Sequence, residues 1–228
     1  MHMKITVHRG LEQIGGCITK ISTDTSRVFI DFGQNLPGCG EPTAPEEDAT
    51  MVARILTQNK KEHEAVFYTH GHEDHVGLAE YIAEEAPQYM SEGTKGLLEI
   101  KYDVIRQAAD LKAHELLARE CDPQERSDAL RHREEAESKC RLVDRMRVWK
   151  HTPSDVVAES ISIGDIRVTP FSNCHSIYDS HMFLIEADGK RIWHTGDYRE
   201  HGYREKTCFR CLRDMPQTSM CSSPRVRC

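Results

Sequence analysis

No apolar run in this chain is long enough to cross a bilayer. The longest are short segments such as HMFLIEA at 181–187, against the roughly 20 residues that a spanning helix needs. The opening residues, MHMKITVHRG, lack the apolar centre of a secretory signal, so a cytoplasmic location is expected. An excess of basic residues is also missing. Lys and Arg number 30 against 37 Asp and Glu, a net charge of −7. The imbalance is uneven: −8 over residues 1–94, +1 over 95–150 and 0 over 151–228. That withholds the broad cationic face of an ordinary nucleic-acid binder, although bound metal ions can neutralise phosphates locally. There is no internal repeat and no low-complexity tract. Nine cysteines in 228 residues fit reduced thiols better than the disulfide framework of a small secreted domain.

What is present is a globular composition, 38% hydrophobic and 29% charged, long enough for one large domain or two small ones. The first third reads as strands and turns. KITVHR (4–9) and CITKIS (17–22) alternate with the strand period, and RVFID (27–31) is a buried type of run. NLPGCGEPTAPEED is a loop by its Pro and Gly content. The helical spacing of Met51, Ile55 and Leu56, after several acids, predicts a helix over 46–60. AVFYT (65–69) is a strand, and VGLAEYIAEEA (76–86) is predicted to be a helix. Residues from about 96 to 146 are rich in Ala, Leu, Glu, Lys and Arg around CDPQ, which predicts a solvated helical hairpin inserted in the fold. Its sharper alternative is a substrate or partner surface. Strands return as RVWK, IRVTPFS, HMFLIEA and KRIWHT, with Asp188-Gly189 marking a tight hairpin. Two strand-rich halves with helices between them suggest an α/β sandwich of sheet on sheet.

Between the strand AVFYT and the helix predicted after it lies THGHEDHVG. His70, His72, Asp74 and His75 place four metal-type donors within six positions at a strand end. Neutral imidazole and carboxylate suit zinc, manganese or iron. Alternate residues in a tight turn can converge, so His70 and His72 can share one ion while Asp74 and His75 hold another. Two ligands do not complete a site, and two further strand ends offer donors: His175 after IRVTPF and Asp197 after KRIW.

These residues resemble the metallo-β-lactamase superfamily. THGHEDHVG matches its His-x-His-x-Asp-His signature, VFIDFG resembles its early strand ending in Asp31, and HTGD resembles its bridging-aspartate motif. NCHSIYDSHMFLIEADGKRIWHTGD is similar to the ribonuclease J-like, β-CASP branch. The likeness covers about residues 3–90 and 147–200. It implies an αββα sandwich and two divalent ions, zinc first and manganese as the alternative. His70, His72 and His175 would hold one ion. Asp74 and His75 would hold the other, and Asp197 would bridge both. Asp31 would steady the histidine loop. A hydroxide shared by ions about 3.5–4 Å apart would be the nucleophile, with Asp74 orienting it. No serine or cysteine nucleophile is needed, and Cys174 is expected to be structural.

The implied activity is hydrolysis of phosphodiesters, RNA included, as in ribonuclease J. The alternatives are hydrolysis of a thioester, lactone or β-lactam on the same scaffold, or a catalytically incomplete metal-binding fragment. The family supplies a further histidine, and the β-CASP branch a whole domain, beyond the position of Asp197. Here 31 residues follow it, with no strand or helix period after about residue 205. The expected organisation is a domain over 1–204, incomplete at its C-terminal end, and an irregular cysteine-rich tail over 205–228. Three readings of that tail stand: a zinc site built on Cys208 and Cys211, His201 as a substitute ligand, and a truncated or frame-shifted copy of a longer protein. The third accounts for both the missing domain and the loss of pattern. It leads to an expectation of weak hydrolysis of activated phosphodiesters at best.

Overall fold

The computed structural model describes residues 2–38, 43–118, 122–151 and 156–199. The predicted tail over 205–228, with His201 and its four cysteines, lies outside the described residues. The chain divides into two compact units: residues 1–94 with 147–228, and residues 95–146.

The first unit is built on two sheets. One has six strands in chain order: β1 (Lys4–Arg9), β2 (Ile18–Ser22), β3 (Ser26–Ile30), β4 (His63–Phe67), β5 (Gln88–Met90) and β6 (Arg147–Val148). The β1–β2–β3 pairs are antiparallel, and β3–β4–β5–β6 are parallel. A parallel pair needs a crossover, which the helix α1 (Pro45–Thr57) supplies between β3 and β4. The other sheet is antiparallel, ordered β10–β9–β8–β7, from β7 (Ile161–Ile163), β8 (Ile166–Ser172), β9 (His181–Ala187) and β10 (Lys190–His194). The Asp188-Gly189 turn joins β9 and β10 with both residues at positive φ, 51° and 67°, as a primed two-residue turn requires.

Strand periodicity makes the core. Val28, Ile30, Ala65 and Phe67 point from the first sheet to Ile166, Val168, Phe183 and Ile185 of the second, all buried in one cluster. Burying each of these Val, Ile and Phe side chains contributes about 1.5–3 kcal/mol. The opposite face of the first sheet takes α1. Arg27, almost fully buried, donates to the carbonyls of Leu56 and Gln58 at the end of α1 and pairs with Glu64 at 2.6 Å. Three acceptors offset the cost of removing its charge from water.

Strand register places the donor loops. Ile30 lies opposite Phe67 in the parallel β3–β4 pair, so Asp31 and the Thr69–His70 segment leave the sheet together. On the other sheet, β8 and β10 end at Ser172 and His194, one step before the second and third predicted donor loops.

One predicted element is corrected. Residues 76–86 are not a helix. A four-residue helix, α2 (Glu73–Val76), begins inside the histidine cluster, and only a 3₁₀ turn at Ala79–Tyr81 comes after it. Tertiary pairing overrides the apolar spacing here: the Leu78 N–H donates to the Phe32 carbonyl at 2.8 Å, drawing the chain back along the end of β3. The strand β7 was not foreseen, because its three residues carry too little alternation.

The second unit consists of most of α3 (Glu92–Leu117) and all of α4 (Pro123–Arg145). Asp122 caps α4 by accepting from the Gln124 N–H at 2.9 Å, and proline stands at the first helical position, where its missing N–H costs nothing. Arg133 and Asp110 join the two helices at 2.7 Å. That pair is exposed enough to be worth under about 1 kcal/mol.

Candidate metal centre

Six residues proposed from the sequence meet beyond the strand ends of the two sheets. Thr69 follows β4, and its neighbours are fixed by backbone pairing. Asp31 N–H donates to Phe67 O at 2.9 Å, Phe32 N–H to His75 O at 2.8 Å, and Cys17 N–H to Asp74 O at 3.1 Å. Gly33 is required by this closeness, since a Cβ there would fall 1.6 Å from the Asp74 carbonyl oxygen. His70 Nε2 lies 3.0 Å from His72 Nδ1, and His175 Nε2 lies 3.3 Å from that same nitrogen. Asp197 Oδ2 stands 3.5 Å from His75 Nε2 and 3.8 Å from His175 Nε2. Asp74 Oδ2 is 3.6 Å from His75 Nε2.

Asp31 does not face this cluster of nitrogens. It sits behind it, fully buried, with φ at +61°. Its Oδ1 accepts the Thr69 N–H at 2.8 Å, and its Oδ2 accepts the Thr69 hydroxyl at 2.9 Å and His75 Nδ1–H at 2.7 Å. With its own proton given to Asp31, the Thr69 hydroxyl accepts from His70 Nδ1 at 2.9 Å. Both rings therefore carry their Nδ1 proton to the rear and turn Nε2 forward.

A model of the metallo-β-lactamase superfamily matches residues 37–90, the stretch that contains the histidine cluster. That stretch of the chain is similar to the metallo-β-lactamase superfamily. Helicobacter pylori ribonuclease J is 27% identical over 199 residues, covering 86% of this chain and 23% of that protein. The transcription termination factor FttA of Thermococcus kodakarensis is 26% identical over 206 residues, covering 86% of this chain and 28% of its own. The chain thus spans about a quarter of the length of these curated relatives. A crystal structure of an Enterococcus faecalis protein of unknown function superposes with a TM-score of 0.62 at 20% identity, over 93% of this chain and 47% of that one. At that identity the likeness speaks for the fold.

The electrostatics of the cluster divide its histidines. Burial, reinforced by the neighbouring imidazoles, lowers the pKa of His70; burial also lowers that of His72, and brings His175 down to about 4. These rings stay neutral at physiological pH, with lone pairs available. For His75, burial opposes the charge, but Asp31 and Asp197 outweigh it and raise the pKa to about 10. Burial lifts the Asp74 pKa above the usual carboxylate range, while His75 holds that of Asp197 below it despite burial. Cys17 lies close by, but burial and then Asp31 push its thiol far up, so it offers no thiolate.

The residues fit a divalent ion. Zinc–nitrogen bonds of about 2.0–2.1 Å put tetrahedral ligand atoms about 3.4 Å apart, close to the 3.0 and 3.3 Å separations found. His70 Nε2 and His175 Nε2 both face His72 Nδ1, a single nitrogen that cannot satisfy both. His75 Nε2 is buried and makes no hydrogen bond among the described residues. A cation resolves both conflicts.

Sequence reasoning missed the residues that hold the loops in place. Asn173 donates to the carbonyls of Thr195 and Asp197 at 3.0 and 2.9 Å, tying the His175 loop to the Asp197 turn. Gly196, at φ +53°, lies against Thr69, where a Cβ would come within 2.9 Å. The only signal for Thr69 and Asn173 was adjacency to candidate ligands, which does not separate a support from a bystander.

Proposed function

We propose that this chain is a metal-dependent hydrolase acting on phosphodiesters, RNA among them. The observation that carries the reading is the convergence of His70, His72 and His175 nitrogens within 3.0–3.3 Å of His72 Nδ1, beside His75, Asp74 and Asp197. The narrowing to phosphodiesters rests on the ribonuclease J similarity.

His70, His72 and His175 would hold one divalent ion, and Asp74, His75 and Asp197 would serve a second, with Asp197 also beside His175; zinc would be the first choice and manganese the alternative. Bound ions lower the pKa of a water and neutralise charge developing on phosphorus. The protein supplies the rest. Asp31 keeps a proton of His75 on Nδ1, and Thr69 does so for His70, so both rings turn Nε2 forward, His75 giving up its second proton when an ion binds. Asp74, a carboxylate whose pKa is raised mainly by burial, accepts a hydrogen bond from the attacking water and orients it, with a proton affinity nearer the working pH than an exposed carboxylate has. The Asn173 bonds keep the Asp197 turn at its distance from His175. Cys17 and Cys140 are free thiols, in keeping with a reducing, cytoplasmic setting.

The test is steady-state hydrolysis of bis(p-nitrophenyl) phosphate and of end-labelled RNA by the full chain with zinc or manganese. Turnover of either, abolished in Asp74→Ala, is expected. Hydrolysis of a thioester, lactone or β-lactam with no action on either phosphodiester would overturn the substrate assignment. Metal binding without any turnover would overturn the assignment as an enzyme.

A further inference from the structure

A second group of metal-type side chains shares no residue with the hydrolytic centre. It comprises His151, after β6, Asp179, in the β8–β9 loop, and His181, the first residue of β9. One ligand atom from each lies within 4.8 Å of those of the other two. None of the three has a part in the hydrolytic reading.

The group is organised. His181 is fully buried, and its ring meets that of His151 edge-on, with centroids 5.3 Å apart. His181 Nδ1 donates to the Asp179 carbonyl at 3.0 Å, which leaves the lone pair on Nε2. Asp179 adopts φ +59°, a conformation that costs a non-glycine residue energy and persists only where its surroundings impose it. Here Ser91 Oγ donates to its carbonyl at 2.9 Å, and the Gly93 N–H donates to Oδ2 at 2.8 Å. The other oxygen, Oδ1, lies 4.0 Å from His181 Nδ1. His151 Nε2 lies 3.3 Å from Ser172 Oγ, so this ring also borders the last residue of β8.

Two imidazoles and one carboxylate form a donor set typical of zinc. Their spacing is looser than the roughly 3.4 Å of a closed tetrahedral site. The half-buried His151 can rotate to close the difference, with solvent as a fourth ligand. A solvated polar cluster would not need a fully buried histidine or an aspartate held in a left-handed conformation. We propose that His151, Asp179 and His181 form a separate divalent-metal site that fastens the segment after β6 to the loop carrying His175. Its role is structural: the bound ion fixes the end of the β8–β9 loop, at Asp179 and His181, against His151.

The experiment compares the zinc content of the full-length wild type, His151→Ala and Asp179→Asn after loading and desalting, alongside an anomalous-difference map of zinc-loaded wild-type crystals. We expect each variant to hold one equivalent less than wild type, and an anomalous peak between the three side chains. His70, His72 and the other hydrolytic ligands are unaltered in both variants, so the result is independent of the hydrolytic reading. Both variants keeping the full zinc content would overturn the site. So would a map without that peak, whatever the variants do, since it needs no substitution to fold.

Discussion

Replacing Asp31 by asparagine tests the organisation of the centre at one atom. Asparagine tolerates the left-handed backbone at φ +61° and matches aspartate in shape, so strain and volume are nearly unchanged. Its carbonyl still accepts the Thr69 N–H where Oδ1 does at 2.8 Å. The amide nitrogen then stands where Oδ2 accepts both His75 Nδ1–H at 2.7 Å and the Thr69 hydroxyl at 2.9 Å. Two N–H donors cannot face each other there. Either the clash stays, with a buried donor unsatisfied at about 1–3 kcal/mol, or His75 moves its proton to Nε2 and loses the lone pair that faces Asp74 and Asp197. Both outcomes weaken the ion that His75 would hold. A fall of about 10–100-fold in affinity is expected, equivalent to roughly 1.4–2.8 kcal/mol and of the same size as the desolvation cost. The assay is competitive titration against a chromophoric chelator, with elemental analysis at each step. The ion on His70, His72 and His175 should weaken less than the one on His75. If Asp31→Asn binds both ions within twofold of wild type, Asp31 does not set the His75 tautomer, and this account of the centre fails.

Other perturbations have equally definite outcomes. The double variant His70→Ala/His72→Ala should lose the ion it shares with His175; elemental analysis showing unaltered metal content would contradict that assignment. Gly33→Ala should cost about 2 kcal/mol or more in chemical denaturation, in the range of overpacking, because the new Cβ meets the Asp74 carbonyl at 1.6 Å; a loss within 0.5 kcal/mol, the usual scatter of surface changes, would show that the loop yields freely. In chelator, stability should fall as pH drops from 6.5 towards 4. Burial holds the His175 pKa at about 4 in the folded chain, so over that window the unfolded state takes up a proton that the folded state refuses. Thermal midpoints read against pH should show a shallower slope for His175→Ala, and identical slopes would remove His175 from the explanation.

How far the sequence foretold this arrangement depended on the range over which each signal acts. The strands 4–9, 18–22 and 26–30 and the β9–β10 hairpin were legible because alternation and an Asp-Gly turn are local. The helix expected over 76–86 failed for the converse reason. Its apolar spacing was real, but the Leu78 N–H finds a better partner in Phe32 O on a neighbouring strand, and no local pattern records that choice. The centre follows the same division. The donors His70, His72, Asp74 and His75 announce themselves by density within one turn, whereas His175 and Asp197 needed the assumption that strand ends share an edge. What aims those donors was hidden, because it depends on contacts between distant segments. The Asp31 carboxylate reaches His75 across 44 positions of sequence, and Asn173 reaches Asp197 across 24. A motif specifies which atoms are available to a metal. Which nitrogen of each ring faces it is decided by residues with no spacing to read, so single-atom substitutions at Asp31 are more informative than the deletion of another histidine.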